Sequence, residues 1–436
     1  MRIEAPWVAQ AVRGVPVGRI DDIVIDGCDF DSRTIGAGQL FVALVGERDG
    51  HRFLEHAAGA GAALHLCSDR AALEAAGVPG IVVDDTLASL ADLATAARRD
   101  LLTSVPVVGV TGSVGKTSTK DLIAAALSAE RMTHANRASF NNEQGLPVTV
   151  LGAPDDTEAL VVEMGMRGHG QIAELCRIAR PDVGVVTVVG ESHTELVGGL
   201  DGVARAKGEL IEALPSSGTA VLNAGDERVS AMAARSSAPV VTFGDGGEVR
   251  PEGVCLDASA RASFTVVTPW GRAEVRLGLV GEHMVANACA AIAVAGSLHG
   301  DIDAAAAALS EVTSAPGRMT VHRGRGGSTI IDDCYNANPT SVEAALRALD
   351  AVPARRRIAV LGIMAELDAP GPAHQRVAAI CEALGIELLA VDCPLYGVES
   401  MSLEDLGDLD LAEDSAVLVK GSRVAGLERA VAALMA

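Results

Sequence analysis

Short apolar runs, separated by turns and helical patterns, recur along the whole chain of 436 residues. Residues 1–104 carry three such runs, "GQLFVALVG", "ALHLCS" and "GIVVDD". Residues 105–313 alternate buried runs with helical patterns, as expected of a largely parallel sheet. Residues 314–436 repeat this alternation in "STIIDDCYNANP", "RIAVLGIMAEL", "IELLAV" and "AVLVKGS". The pattern predicts an α/β protein with three domains in these ranges: a small mixed α/β domain, a central P-loop-type parallel-sheet domain and a Rossmann-like domain.

The apolar run "VVGV" ends in a glycine-rich loop, "TGSVGKTSTK", which continues as a helical pattern. Backbone N–H groups in such a loop, together with the helix dipole, bind phosphate, and Lys116 adds a point charge. The strict phosphate-loop pattern has glycine where this chain has Val110, so the match is to a variant with Gly112 and Gly115 as flexible positions. Thr117 is the expected hydroxyl ligand of Mg²⁺. The alternative is a glycine-rich turn without a ligand, and the Lys-Thr-Ser sequence at the helix start favours phosphate.

Two further apolar runs end in side chains that carry chemistry. "ALVVEMG" ends at Glu163, and "DVGVVTVVG" precedes "ESHTE", which contains His193. Ligands of open parallel sheets collect beyond the carboxyl ends of the strands, so both residues are predicted to share one crevice with Lys116 and Thr117. Each has a simpler interpretation: Glu163 as a solvated carboxylate at a strand end, and His193 as a structural histidine.

The segment "GVARAKGELIEALP" has helical spacing, with Val203, Leu210 and Ile211 on its apolar face. Lys207 lies on that same face. In one interpretation its stem packs and its ammonium group reaches solvent. In the other, burial lowers the pKa of the amine and makes its neutral form available for chemistry. Periodicity alone does not choose between them.

Composition narrows the classes of function. The net charge of −22 argues against nonspecific binding to nucleic acids or acidic membranes, and the 2% aromatic content argues against base-stacking surfaces. The eight cysteines are scattered without metal-ligand spacing, as expected for reduced thiols. No signal-peptide pattern opens the chain, and its most apolar helical stretch is shorter than a membrane span. We expect a cytoplasmic protein without membrane insertion.

In order and spacing, the motifs resemble the Mur ligase family, the ATP-dependent amide-forming enzymes of peptidoglycan synthesis, and within it the MurF type. The first domain contributes "DSRTIGAGQLFVALVGERDGHRF". The central domain contributes "TGSVGKTSTK", "NNEQGLPVTVL", "VVEMG", "ESHTE", "ARAKGEL" and "GEHMVANACAA". The third domain contributes "APGRM", "IIDDCYNANPTS", "LGIMAEL" and "VLVKGSR". The likeness therefore covers nearly the whole chain.

The resemblance implies ATP as cosubstrate, two Mg²⁺ sites and specific roles for the matching residues. Lys116 would bind the β/γ-phosphates, Thr117 and Glu163 one Mg²⁺, and His193 a second Mg²⁺ beside a carbamylated Lys207. The other residues implied in nucleotide binding are Gly112, Ser113, Gly115, Ser118, His283, Asn287, Arg318 and Asp333. Those implied in binding the UDP-sugar peptide or the amine are Ser32, Arg33, Asn141, Asn142, Tyr335 and Asn336.

The implied reaction joins D-alanyl-D-alanine to UDP-N-acetylmuramoyl-tripeptide through an acyl phosphate, by a monomeric enzyme without nucleic-acid partners. Three residues depart from the family pattern: Met284 replaces an asparagine, Ile363 an aspartate and Asp368 a glycine. "VTVVGESHTE" also replaces the commoner "TNIGxAHLE". Two alternatives therefore stay open. One is a related ligase, including the folylpolyglutamate type, with another amine or carboxylate; the other is a non-catalytic nucleotide-binding protein.

Overall fold

The computed structural model describes residues 1–137, 140–191 and 194–435, and the first of three α/β units lies at the N-terminal end. Its main sheet has the order β2-β7-β6-β5-β4, with β2 antiparallel to β7 and the other pairs parallel, and β1 pairs with β3 separately. The strands are β1 (Arg2–Glu4), β2 (Val15–Val17), β3 (Val24–Asp26), β4 (Cys28–Asp29), β5 (Leu40–Val42), β6 (Leu64–Cys67) and β7 (Gly80–Val82). The helices are α1 (Ala5–Ala11), α2 (Leu54–Gly59), α3 (Arg70–Ala76) and α4 (Thr86–Asp100).

The central unit is built on a six-stranded, fully parallel sheet in the order β13-β12-β11-β8-β10-β9. The strands are β8 (Val107–Thr111), β9 (Thr133–Ala135), β10 (Ala159–Glu163), β11 (Val183–Val186), β12 (Thr219–Asn223) and β13 (Val240–Phe243). The helices are α5 (Lys116–Ser128), α6 (Gly145–Leu151), α7 (Gln171–Ala179), α8 (Thr194–Val197), α9 (Gly199–Glu212), α10 (Glu227–Ser230), α11 (Met284–Ser297) and α12 (Ile302–Ala308). In this parallel sheet β8 lies between β10 and β11. The carboxyl ends of β10 and β11 therefore lie on either side of the loop that follows β8.

A three-stranded antiparallel sheet, β14 (Arg250–Leu256), β15 (Arg261–Thr268) and β16 (Gly271–Val280), completes the central unit. The prediction that strands and helices alternate through residues 105–313 was wrong for this segment. Exposed and buried positions alternate along β15 and β16, since one face of the sheet packs inward while the other meets solvent. That period of two is visible in "RASFTVVT" and was the available signal.

The third unit carries a six-stranded sheet in the order β17-β18-β22-β19-β20-β21, parallel except for β17. The strands are β17 (Thr320–Arg323), β18 (Thr329–Asp332), β19 (Arg356–Leu361), β20 (Glu387–Val391), β21 (Ser400–Met401) and β22 (Ser415–Lys420). The helices are α13 (Pro339–Ala351), α14 (Pro370–Ala383) and α15 (Glu428–Met435). The three-domain α/β fold predicted from the sequence is confirmed.

The apolar cores show how the units are joined. One continuous core runs from Met1 through the first unit and into the central sheet, where α4 packs on α6 and α7. A second core lies between the central sheet, α5 and the almost wholly buried α11. In the third unit, the core beneath α13 and α14 includes only Ala260 and Val280 from the central unit. None of the helices in the described ranges is long and apolar enough to cross a membrane.

Candidate active site

A cleft of about 610 Å³ lies between the central and third units. It is formed where the carboxyl ends of β8 and β10 face those of β18 and β22. Sixteen of the residues singled out from the sequence line it: Ser113, Gly115, Lys116, Thr117, Ser118, Asn141, Asn142, Glu163, Lys207, His283, Met284, Asn287, Arg318, Asp333, Tyr335 and Asn336. Residues far apart in the sequence therefore share one cleft.

The loop between β8 and α5 requires both of its glycines. A Cβ on Gly112 would lie 1.9 Å from Thr187 Oγ1, which no side chain tolerates. Gly115 adopts φ +84°, a left-handed conformation that glycine reaches without steric cost, and α5 begins at the next residue. The Ser113 hydroxyl donates to Gly190 O at 3.0 Å, which fixes the loop against the segment after β11. The first N–H groups of α5 and the positive end of its dipole thus face the cleft.

Glu163, at the end of β10, is 1% exposed, so it is not a solvated carboxylate. Its Oε2 accepts from Thr117 Oγ1 at 2.7 Å and its Oε1 accepts from Asn141 Nδ2 at 2.7 Å. Its own N–H donates to Asn136 Oδ1 at 2.9 Å. A buried carboxylate needs such partners, because hydrogen bonds to a charged group contribute about 1.5–3 kcal/mol each. The arrangement places a hydroxyl and a carboxylate side by side at the loop.

Lys207 lies on the buried face of α9 and is 2% exposed, so the solvent-reaching interpretation is wrong. Burial lowers the pKa of its ammonium group well below the usual value, nearby Lys116 lowers it further, and Glu163 opposes both. Burial also lowers the pKa of Lys116, against the effect of Glu163 and with a contribution from Arg318. Lys116 Nζ donates to Gly112 O at 2.7 Å. Burial and the neighbouring Lys116 therefore both favour the uncharged form of the Lys207 amine.

The start of α11 forms a second wall of the cleft. His283 Nδ1 is buried without a hydrogen-bond partner in the described part of the chain. Burial lowers the pKa of this imidazole, so it is neutral near pH 7. Asn287 Nδ2 contacts Met284 Sδ at 3.5 Å, a weak acceptor, and Asn287 Oδ1 lies beside Gly115. This wall therefore offers one buried polar atom without a partner, His283 Nδ1, and an amide beside the glycine-rich loop.

The third unit contributes a wall with opposite charges already paired. The Lys420 ammonium group, at the end of β22, bonds Asp333 Oδ2 and donates to Asn336 O at 2.9 Å. The register explains this pairing, because β18 and β22 are parallel neighbours with Asp332 opposite Val419. The Arg318 guanidinium lies 4.2 Å from the centroid of the Tyr335 ring, so its plane is held by a cation–π contact.

Some predicted residues lie elsewhere. His193 is outside the described residues, and Gly112 supports the loop from behind without lining the cleft. Ser32 and Arg33 do not line it either; Arg33 is exposed and pairs with Asp31. Ile363 and Asp368 are absent from the cleft wall as well, so their departure from the family pattern does not alter its lining.

The first unit still approaches the site through two contacts. Phe30 stacks on Phe140 with ring centroids 5.9 Å apart, and Arg137 lies 3.5 Å from the buried Asp29 carboxylate. Phe140 immediately precedes Asn141, which bonds Glu163. These contacts place the first unit next to the segment that carries the asparagine pair.

Sequence reasoning missed Lys420 and Glu366, both of which line the cleft. One signal was available: the chain has only four lysines, at 116, 120, 207 and 420. Lys116, Lys207 and Lys420 line the cleft, and Lys120, buried one turn after Lys116, donates to Asn136 O at 2.8 Å. Three of the four lysines thus line the cleft.

Models of three Mur ligase domains match the chain: the Mur ligase family catalytic domain at residues 24–98, the Mur ligase middle domain at 110–295, and the Mur ligase glutamate ligase domain at 317–423. A UDP-N-acetylmuramoyl-tripeptide–D-alanyl-D-alanine ligase of Mycobacterium tuberculosis is 43% identical over 393 residues, covering 83% of this chain and 76% of the relative. The chain belongs to the MurF type of the Mur ligases.

Solved structures place this Mur ligase in the same fold. The crystal structure of MurF from Acinetobacter baumannii superposes with a TM-score of 0.89 at 28% identity, covering 100% of this chain and 99% of that one. MurF from Thermotoga maritima, solved in complex with ADP, gives a TM-score of 0.80 at 27% identity over 94% and 97% of the two chains.

Proposed function

We propose that this Mur ligase joins D-alanyl-D-alanine to UDP-N-acetylmuramoyl-tripeptide, with ATP converted to ADP and phosphate, in the cytoplasm. The observation that carries the proposal is the single cleft that unites the phosphate loop, the Thr117–Glu163 pair and Lys207 with the third-unit wall. The Mycobacterium tuberculosis relative has this activity in its name, the two similar solved structures are of MurF, and the family matches span all three units.

The cleft fits ATP. His283 Nδ1 is a buried polar atom that lacks a partner, and it lies on the wall next to the glycine-rich loop. A base seated on α11 would give it one, while the triphosphate would extend toward the α5 N-terminus and Lys116. Arg318 and Asp333 would reach the nucleotide from the third unit. These assignments rest on the shape and the donors of the walls.

The residues also fit Mg²⁺. Thr117 Oγ1 and the Glu163 carboxylate are hard oxygen donors held next to the phosphate loop, and Mg²⁺ typically takes few protein ligands together with water and phosphate oxygens. No group of three or more histidine, cysteine, aspartate or glutamate side chains of metal-binding geometry occurs among the described residues. A magnesium ion bound here would lower the negative charge on the transferring phosphoryl group.

Lys207 fits carbamylation, since that reaction needs a neutral amine and burial favours the neutral form by lowering the pKa of Lys207. The product is an anion in the place of a neutral group, which the adjacent Lys116 would stabilise. We propose that carbamylated Lys207 belongs, with His193, to a second Mg²⁺ site.

The residues of this chain then divide the reaction between them. Asn141 and Asn142 would orient the tripeptide carboxylate toward the γ-phosphate, and Lys116 would offset charge as the carboxylate attacks. The amine of the dipeptide would attack the acyl phosphate carbonyl, and phosphate would leave. The third-unit wall, with Arg318 and Asp333, would keep water from the acyl phosphate.

A substrate test decides between this proposal and its rivals. ADP release should require both UDP-N-acetylmuramoyl-tripeptide and D-alanyl-D-alanine, because an acyl phosphate without acceptor does not turn over. Purified protein is assayed with each substrate alone, with both, and with single amino acids or folate polyglutamates as replacements. Equal turnover with a single amino acid would reject the MurF activity but would leave the assignment to the Mur ligase family unchanged. Nucleotide binding without ADP release in any mixture would favour a non-catalytic protein.

The second prediction concerns base specificity. Met284 offers adenine only a weak sulfur acceptor, so wild-type discrimination between ATP and GTP should be soft. Met284→Asn restores an amide at this position and should raise the preference for ATP by about 10-fold, equivalent to about 1.4 kcal/mol. Competition of the two nucleotides in the ADP-release assay measures it. Strong rejection of GTP by the wild-type enzyme would show that another group recognises the base.

A further inference from the structure

Lys120 is a buried lysine of α5 that does not line the cleft. Its side chain is 4% exposed, and its Nζ donates to Asn136 O at 2.8 Å and lies 2.8 Å from Asp121 Oδ1. A lysine is almost never buried unless its ammonium group is paired or hydrogen-bonded. Lys120 is one turn after Lys116, so α5 carries one cation at the phosphate loop and a second at the segment that follows β9.

The parallel pairing of β9 with β10 ends at Asn136. Asn136 N donates to Val161 O at 3.4 Å, which continues the register of the two strands. In an uninterrupted parallel ladder, the Asn136 carbonyl would next accept from Glu163 N. Glu163 N instead donates to Asn136 Oδ1 at 2.9 Å. The side chain of Asn136 therefore replaces its own carbonyl in the ladder, and that carbonyl accepts from Lys120.

The chain leaves the sheet after Asn136 and meets it again at Asn141. Gly165 N donates to Asn141 O at 2.8 Å, and Asn141 Nδ2 donates to Glu163 Oε1 at 2.7 Å. Had the ladder continued in register, Asn141 would lie opposite Arg167, four residues beyond Glu163 and about 13 Å further along the strand. The interruption of the ladder is therefore what brings Asn141 beside the Glu163 carboxylate.

Burial explains why the interruption needs Lys120. Asn136 is 2% exposed, and a buried carbonyl without a donor is unfavourable. Without the ammonium group, the donor next in the ladder is Glu163 N, and a bond to it would displace Asn136 Oδ1. The pair with Asp121 is a weaker reason for burying a lysine, because the Asp121 side chain is 33% exposed and such pairs contribute little.

We infer that Lys120 is a positioning residue for the ligase reaction. By binding the Asn136 carbonyl, it keeps that carbonyl away from Glu163 N and so holds the Glu163 carboxylate between Thr117 and Asn141. It acts through these residues, since it does not line the cleft itself. The inference rests on the proposed function, in which Thr117 and Glu163 bind Mg²⁺.

Metal binding tests this role without any need for ligation. Lys120→Met removes the donor and keeps a long apolar side chain. It should weaken Mn²⁺ binding in the presence of ADP by about 10-fold, as is usual when a group that orients a metal ligand is lost. Electron paramagnetic resonance of free Mn²⁺ measures this affinity. Binding of ADP without metal should not change, because Lys116 and the phosphate loop keep their contacts.

The ADP-release assay gives a second readout. The Mg²⁺ concentration for half-maximal rate should rise by about 10-fold in Lys120→Met, whereas the rate at saturating Mg²⁺ should change much less. Asp121→Asn is the matched control, because it removes the charge partner of Lys120 but not the bond to Asn136 O. It should leave the metal affinity and both nucleotide measurements unchanged.

A second variant keeps the test decisive if thermal unfolding shows that Lys120→Met is not folded. Asn136→Ala removes the Oδ1 that accepts from Glu163 N and should weaken Mn²⁺ binding in the same way. Where both variants fold, the double variant should bind Mn²⁺ no more weakly than the weaker single one, because the two residues act through one chain of contacts.

Three results would overturn the inference. They are normal Mn²⁺ affinity in folded Lys120→Met or Asn136→Ala, equal weakening in Asp121→Asn, and an equal loss of metal-free ADP binding, which would indicate a general disturbance of α5. A wild-type enzyme that uses a different amine would reject the proposed function separately, and the binding measurements would still test Lys120.

Discussion

Lys116→Ala should lower kcat/KM for ATP-dependent ligation by about 10³-fold or more. A positioned cation at a transferring phosphoryl group contributes on this scale, because it acts in a site from which water is largely excluded. The fold should tolerate the change. The one hydrogen bond lost, to Gly112 O, contributes on the order of 1 kcal/mol. ADP release measures the first effect and thermal unfolding the second.

The companion variant is Lys116→Arg, which keeps the charge in a larger, planar group. The retained charge should recover part of the lost rate. Recovery should be incomplete, because the guanidinium is larger than the ammonium group that donates to Gly112 O. Near-normal ADP formation by Lys116→Ala would end the assignment of the phosphate loop.

Lys207→Ala should abolish measurable turnover, and formate or acetate should restore part of it by standing in for the carbamate. The matched control is Lys120→Ala, which also removes a buried lysine near Glu163. Lys120 already donates to Asn136 O and pairs with Asp121, so its loss should show no rescue by carboxylic acids. ADP release across a series of acid concentrations measures both.

The modification itself can be observed directly. With [¹³C]bicarbonate, a carbamate signal should appear in the wild-type protein and be missing in Lys207→Ala. Since the chain has only four lysines, the signal can be assigned by elimination. An active wild-type enzyme without that signal would contradict carbamylation.

The central half of the site was accessible from the sequence because its residues follow strand ends. A glycine-rich loop and a strand ending in Glu163 both identify the carboxyl edge of a parallel sheet, and neighbouring strands bring them together. The burial of the Lys207 amine could not be predicted from the sequence. Helical spacing places the residue on an apolar face, but it does not determine whether the long side chain carries its amine to solvent or into the interior.

The part of the cleft wall formed by the third unit was harder to predict from the sequence. Lys420 and Glu366 come to the cleft only because two separate sheets face each other edge to edge, and no local pattern encodes that arrangement. Glu366 is the clearer example. Its left-handed backbone results from contacts with Ser422 and the segment fixed by His374, residues that lie up to 56 positions away. Local propensity contains no trace of such distant constraints.

The unequal sharing of apolar cores has a consequence for how the molecule loses its structure. The first and central units share one continuous core, so we expect them to unfold largely as one cooperative unit. The third unit takes only Ala260 and Val280 from its neighbour into its core. It can therefore shift against the rest at small cost in buried surface, and a nucleotide held by both walls would couple the two unfolding transitions into one.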